Sequence, residues 1–280
     1  MAGTLYLCAT PIGNLGDITQ RVLDTLAQVD LIAAEDTRNS LHLLTHFGIR
    51  TPLTSYHEYN KYDKAETLIE KLREGQEIAL ITDAGTPGIS DPGEVLCARC
   101  IEEGIPVTSL PGPAACITAL TLSGLPTRRF CFEAFLPADK KERQRILEEL
   151  KEETRTIIVY EAPHHLLQTL RELTAALGER RIALCRELTK RFENVERMTT
   201  TEAVAHYEEN EARGEYVLVI EGRDPQELVK ERQARWEELS LEEHVALYEK
   251  EGIDHKAALK QVALDRGIPK REVYDALHKK

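Results

Sequence analysis

The sequence predicts an α/β fold with a mostly parallel sheet in its first half, a second α/β half of more antiparallel character, and a short helical tail. Three observations predict it. Apolar runs suited to buried parallel strands recur at Thr4 to Ala9, Leu31 to Ala34, Leu53 to Tyr56, Ile78 to Ile81 and Pro106 to Leu110, each followed by a loop and a helix-period segment. The stretch Thr82 to Gly93 places three glycines and two prolines between a strand and a helix. Beyond Gly222-Arg223-Asp224-Pro225 no strand pattern is evident.

In chain order, the first strand runs into Thr10-Pro11-Ile12-Gly13-Asn14-Leu15-Gly16, and Asp17 can cap a helix whose apolar residues Ile18, Val22, Leu23, Leu26 and Val29 share a face. The second ends at Glu35-Asp36-Thr37-Arg38-Asn39, before a helix from Ser40 closed by Gly48. The third ends at His57-Glu58-Tyr59-Asn60, before a helix carrying Ala65, Leu68, Ile69 and Leu72. The fourth leads to the glycine-proline loop and a helix from Glu94 to Glu103. The fifth leads to Pro111-Gly112-Pro113 and a small-residue helix, Ala114 to Leu122, closed by Gly124. In such sheets the strand ends and the following helix starts face one crevice, so the glycine-proline loop reads as a binding floor.

The second half reads as strand Phe130 to Phe135, a charged helix Lys140 to Lys151, strand Thr156 to Glu161, helix Pro163 to Leu177, strands Ile182 to Arg186 and Asn194 to Thr199, helix Thr201 to Arg213 and strand Tyr216 to Glu221. Helices at Leu241 to Glu251, Ala257 to Arg266 and Pro269 to Lys279 follow, separated by tight turns in the manner of a helix-turn-helix module. The expected division is 1–125, 126–222 and 223–280, with a ligand cleft between the first two domains.

Composition narrows the function. The chain has 280 residues, 42% of them hydrophobic, with no basic-then-apolar leader and no run approaching the ~20 apolar residues of a membrane span, so a soluble cytoplasmic protein is expected. Cys97 and Cys100 form a C-x-x-C without a second pair at zinc spacing, which suits packing on a helix, and no metal is expected. A formal net charge of −12 excludes indiscriminate nucleic-acid binding through the overall field. Local basic clusters remain at Arg128-Arg129, Lys140-Lys141, Arg143, Arg145, Arg180-Arg181, Arg186 and Lys190-Arg191, with Lys256, Lys260, Arg266, Lys270 and Arg271 in the tail.

Taken together, Leu5 to Asp17, Ala34 to Arg38, Thr82 to Gly93 and Leu110 to Ala115 closely resemble the tetrapyrrole methylase superfamily and, within it, the bacterial ribose 2′-O-methyltransferases of small-subunit ribosomal RNA. The likeness continues through Tyr160 to His165, Arg186 to Lys190 and Gly214 to Val217. It implies two α/β domains of the tetrapyrrole methylase type with S-adenosylmethionine in the cleft between them. It also implies a homodimer whose acceptor is a cytidine ribose of 16S rRNA near the decoding site, with no membrane partner. Matching positions assign cofactor contacts to Pro11, Gly85, Thr86, Pro87, Ile89, Ser90, Ala114, Ala115, Tyr160, Glu161 and Gly214. The superfamily's usual Gly-Asp-Pro is here Gly85-Thr86-Pro87.

Methyl transfer needs donor and acceptor held in line, and a hydroxyl acceptor needs a group that takes its proton or stabilises developing charge. The polar candidates are Asp36, Glu58, His57, Asp91 and Lys190, with Arg38 and Arg186 able to clamp RNA phosphate; Asp36 and Arg38 are expected to line the substrate side. Two other readings stay open: transfer to a small tetrapyrrole-like acceptor, and a non-catalytic regulator that binds a ligand and RNA.

Overall fold

The structure, a computed structural model, describes residues 2–237 and 239–278. They divide into a larger unit, running to Glu148 and again over Arg155–Glu221, and a smaller one of Glu149–Thr154 and the chain from Gly222 on. The larger unit holds both sheets.

The first sheet is built from β1 (Leu5–Cys8), α1 (Gln20–Gln28), β2 (Leu31–Ala34), α2 (Thr37–His46), β3 (Leu53–Ser55), α3 (Lys61–Arg73), β4 (Ile78–Ile81), α4 (Gly93–Glu102) and β5 (Val107–Leu110). All five strands are parallel, in the order β3-β2-β4-β1-β5. The central β4 is buried along its whole length, as expected of a strand covered by helices on both faces, and each such Ile or Leu contributes roughly 1.5–3 kcal/mol. Leu68, Ile69 and Leu72 of α3 cover one face; Val22 and Leu26 of α1 cover the other.

Thr19, rather than Asp17, caps α1: its hydroxyl accepts the Val22 N–H at 3.2 Å, because Leu15–Asp17 is spent on a 3-10 turn that Asn14 caps. The helix after β2 starts three residues before Ser40, at Thr37, because Asp36 caps it.

Helix α5 (Ala115–Ser123) follows the first sheet in sequence but belongs to the second in packing. Its Cys116, Ala119 and Leu120 lie in one core with Ile158, Ala183, Cys185, Val217 and Val219. The second sheet comprises β6 (Phe130–Phe135), α6 (Lys140–Leu150), β7 (Thr156–Glu161), α7 (Leu166–Leu177), β8 (Arg181–Arg186), β9 (Asn194–Thr199), α8 (Thr200–Glu209) and β10 (Tyr216–Ile220). Its order is β6-β7-β10-β8-β9, parallel only between β6 and β7. No helix among the described residues is long and apolar enough to cross a membrane.

The smaller unit carries α9 (Pro225–Glu237), α10 (Leu241–Lys250), α11 (His255–Arg266) and α12 (Lys270–His278). Helix α9 has no counterpart in the sequence reading, because its charged residues lack an apolar period; Pro225 opens it at the position where a missing N–H is harmless. Ser240 and Asp254 cap α10 and α11 as expected. The expected last residue of the final helix, Lys279, lies outside the described residues. Around Val245, Leu259, Val262 and Val273, helices α10, α11 and α12 form a small core, and α9 packs against α11. His244 is fully buried there, with Trp236 stacked on it at 3.9 Å and Arg266 Nε donating to its Nδ1 at 3.2 Å.

Candidate active site

The loops after the two central strands of the first sheet meet. Thr10 and Gly85 form a two-residue antiparallel bridge, with N–H···O distances of 2.9 Å and 3.1 Å. Gly85 has φ +85°, the left-handed region that favours glycine, and a Cβ there would crowd Ile12 at 3.3 Å. Asp91 shapes the remainder: its carboxylate accepts N–H bonds from Gly88 at 2.8 Å, Ile89 at 3.1 Å and Gly93 at 2.8 Å. Those bonds hold Ser90 at φ +68°, a left-handed conformation that costs a side-chain-bearing residue about 1–2 kcal/mol.

Above this floor is a cavity of about 400 Å³, within the roughly 300–1,000 Å³ of small-molecule sites. The first sheet supplies Ile12, Ala84, Gly85, Thr86 and Ile89, and the start of α5 supplies Ala114 and Ala115. The second sheet closes it with Phe135, Tyr160 to Pro163, Cys185, Glu187, Leu188, Lys190 and Glu215 to Val217. Tyr160 packs edge-on against Phe132 and Phe135, and its hydroxyl accepts the Cys116 N–H at 3.1 Å, pinning the start of α5 to the second sheet. Burial raises the Tyr160 hydroxyl above its ordinary pKa, so it stays protonated. Glu161 is buried and held by the Ala162 N–H at 2.8 Å and by the Thr169 hydroxyl.

An ion cluster forms part of the lining. Lys190 Nζ lies 3.0 Å from Glu187 and 2.8 Å from Glu215. Desolvation pulls the Lys190 pKa down, but the hydrogen bonds to Glu215 and Glu187 outweigh it and leave it raised. Desolvation likewise pushes Glu187 up, and Lys190 with the Glu215 N–H reverses this, so its pKa is lowered. The cluster is therefore two carboxylates around a firmly protonated ammonium. Glu187 and Thr189 both have positive φ, at 52° and 64°, strain that collects where a loop is fixed for function.

Of the residues singled out in the sequence, Gly85, Thr86, Ile89, Ala114, Ala115, Tyr160, Glu161 and Lys190 line this cavity. Pro11 lines a neighbouring one. Pro87 is buried in the loop, Ser90 is exposed on it, and Gly214 lies against Glu187, where a Cβ built on the glycine would be 2.6 Å from Glu187 Cγ. Asp36 acts as a helix cap, its carboxylate accepting the Arg38 N–H at 2.7 Å, while the Arg38 side chain is 91% exposed. Glu58 pairs with Lys61 at 2.5 Å, outside both cavities. His57 Nδ1 and Arg186 Nε are buried without hydrogen-bond partners among the described residues.

Sequence reasoning missed Glu187 and Glu215, although each stands next to or between residues it singled out; only the turn geometry brings them onto one lysine. It also missed Glu35, half buried, whose carboxyl pKa is raised by burial and by the Asp83 charge.

An open-sided cavity between two five-stranded α/β sheets, floored by a glycine-proline loop, defines a methylase-type fold. Two solved structures share it: the methyltransferase CobJ (TM-score 0.60, 18% identity, 79% of this chain and 95% of that one) and uroporphyrin-III-C-methyltransferase from Thermus thermophilus (TM-score 0.56, 20% identity, 78% and 94%). The chain belongs to the family of tetrapyrrole (corrin/porphyrin) methylases, whose sequence model matches residues 4–204. Within that family it is 50% identical to the ribosomal RNA small subunit methyltransferase I of Halalkalibacterium halodurans, over 99% of this chain and 95% of the relative. The proteins of the same name from Bacillus subtilis and Escherichia coli O157:H7 are 48% identical over 99% and 53% identical over 80% of this chain.

Proposed function

We propose that this methylase transfers a methyl group from S-adenosylmethionine to the 2′-hydroxyl of a cytidine in 16S rRNA, with the small ribosomal subunit as substrate. The near-full-length identity with proteins named ribosomal RNA small subunit methyltransferase I carries this reading. A cytoplasmic homodimer is proposed with it.

The cavity fits the donor. Its apolar walls, Ile12, Ile89, Ala114 and Ala115, suit a nucleoside, and the carboxylates Glu161, Glu187 and Glu215 suit a cationic group. Thr86, whose hydroxyl donates to the Pro113 carbonyl at 2.9 Å, holds the floor to the start of α5, while Pro11, Pro87, Ser90 and Gly214 act by fixing the loops. When bound, S-adenosylmethionine supplies an electrophilic methyl group on a sulfonium.

Lys190 is the candidate for the acceptor side. Kept protonated by two glutamates, it serves as a fixed positive charge beside the acceptor oxygen, easing loss of the hydroxyl proton to solvent water as the oxygen bonds to the methyl group, rather than as the proton acceptor. Asp36 and Arg38 act at the rim, Arg38 as a phosphate contact and Asp36 as the residue that orients the start of α2. Glu58 supports the β3–α3 loop through Lys61.

The test is transfer of tritium from labelled S-adenosylmethionine to assembled small subunits and to free rRNA, followed by nucleoside analysis. Label in 2′-O-methylcytidine is expected. Label on a base, or transfer only to a tetrapyrrole-like acceptor, overturns the reading.

A further inference from the structure

Beside the first cavity lies a second, of about 370 Å³, to which the mechanism above assigns nothing. It is bounded by Pro11 and Gly13 of the first loop, Asn39 and His42 of α2, and Asp83 at the end of β4. The two cavities are built on the same two loops. Ile12 lines one and its neighbours Pro11 and Gly13 the other; Ala84 and Gly85 line one and Asp83 the other. Between them stands the Thr10–Gly85 bridge, only two residues wide. Lys190 joins them too, since its side chain lines the first cavity and packs against Gly13, which lines the second.

The polar groups of the second cavity are of mixed kind. Asp83 is an acceptor, and its Oδ1 is fixed by the Asp36 N–H at 3.1 Å, leaving its other oxygen for a ligand donor. Asn39 offers both donors and an acceptor from an exposed position, and His42 a ring nitrogen of either kind. This set complements a nucleobase edge that carries an amine beside ring acceptors. Carboxylates accept from the N4 amine of cytosine, and sequence-specific RNA recognition reads unstacked bases by their edges.

We propose that the second cavity receives the base of the target nucleotide, unstacked from the RNA, with Asp83 accepting from its exocyclic amine and Asn39 and His42 donating to its ring acceptors. This deepens, and rests on, the reading of the chain as an RNA ribose methyltransferase. It places the base on one side of the Thr10–Gly85 partition and the methyl donor on the other, so that the ribose spans the divide beside Lys190.

The experiment measures methyl transfer to small ribosomal subunits by wild type, Asn39→Ala, His42→Ala and Asp83→Asn, with S-adenosylmethionine affinity titrated for each. Both Asn39 and His42 are exposed, and an unchanged cofactor affinity shows that their variants are folded. A fall in kcat/KM for subunits of about tenfold per lost hydrogen bond is expected for Asn39→Ala and His42→Ala, with the cofactor Kd within about twofold. Asp83→Asn, in addition, is expected to narrow the preference for cytidine over uridine at the target of a synthetic RNA. Wild-type transfer with subunit kinetics unchanged in all three variants overturns the assignment while leaving the parent reading intact. Wild type that binds cofactor but labels no RNA removes the parent reading, and the assignment falls with it.

Discussion

The side chain of Lys190 lies directly on Gly13: a Cβ built on that glycine would be 2.3 Å from Lys190 Cγ and 2.8 Å from Cε. Residues 177 positions apart thus fix each other, the backbone of the first loop setting where an ammonium from the second sheet can lie. Glu187, packed on Gly214, and Glu215 hold the other end of that lysine.

Gly13→Ala follows from this contact. The new methyl group displaces the lysine stem, and φ +147° is strained for alanine. Turnover is expected to fall by as much as about 10²-fold, with cofactor affinity far less affected, as for a small misplacement of a reacting group. Separate measurement of kcat and cofactor Kd checks it.

Lys190→Met is expected to lower kcat by about 10²–10³-fold, the usual loss for one charge-stabilising donor, and Lys190→Arg to recover part of it. The sign of the pH effect is set by the raised pKa. Protonation of Lys190 persists through neutrality, its contribution to stability is complete below the ordinary lysine value of 10.5, and it is lost as pH rises through the raised native value. A pH–rate profile should accordingly show no limb from Lys190 in the neutral range.

Asp91→Ala strips three N–H groups of their shared acceptor and frees the loop that carries Ile89 and Ser90. A loss of about 2 kcal/mol in loop order corresponds to roughly 30-fold weaker cofactor binding. Calorimetric titration of the variant reads it directly.

His244 gives the smaller unit an acid limit. Desolvation and the neighbouring Arg266 lower its pKa from 6.5, so the unfolded chain binds the proton more readily than the native one. The stability associated with neutral His244 is present above about pH 6.5 and is lost as pH falls from there toward the lowered native value. Trp236, the single tryptophan, stacks on that ring, so its fluorescence should report the acid transition, and His244→Phe should shift the transition to lower pH.

Salt dependence tests the basic surface. Arg128, Arg129, Lys140 and Lys141 are exposed and form no ion pair among the described residues, whereas Arg143 and Arg181 are paired with Glu172 and Glu221, and Arg266 serves His244 and two carbonyls. Replacing Arg128 and Arg129 by alanine is expected to reduce the slope of log affinity for subunits against log salt by about 1.5, the value for two phosphate contacts.

The strands, their order along the chain and the loop that floors the cavity were legible from local pattern alone, because burial on both faces demands continuous apolar runs such as Ile78 to Ile81, and a close approach demands glycine at Gly85. Helix α9 was not legible, because its stability rests on packing rather than on an apolar period of its own. Nor does sequence show that α5 completes the core of the second sheet, or that Tyr160 and Cys116 meet. Individual residues were ambiguous for the same reason: an aspartate after a strand caps a helix or does chemistry, and Asp36 and Asp91 both spend oxygens on backbone N–H groups. Sequence by itself determined the parts and the family to which they belong. Only the tertiary structure decided which side chains share a cavity, since Ile12 and Gly85 meet Tyr160, Glu187, Lys190 and Glu215 through the packing of two sheets, and that packing depends on contacts between residues far apart in the chain.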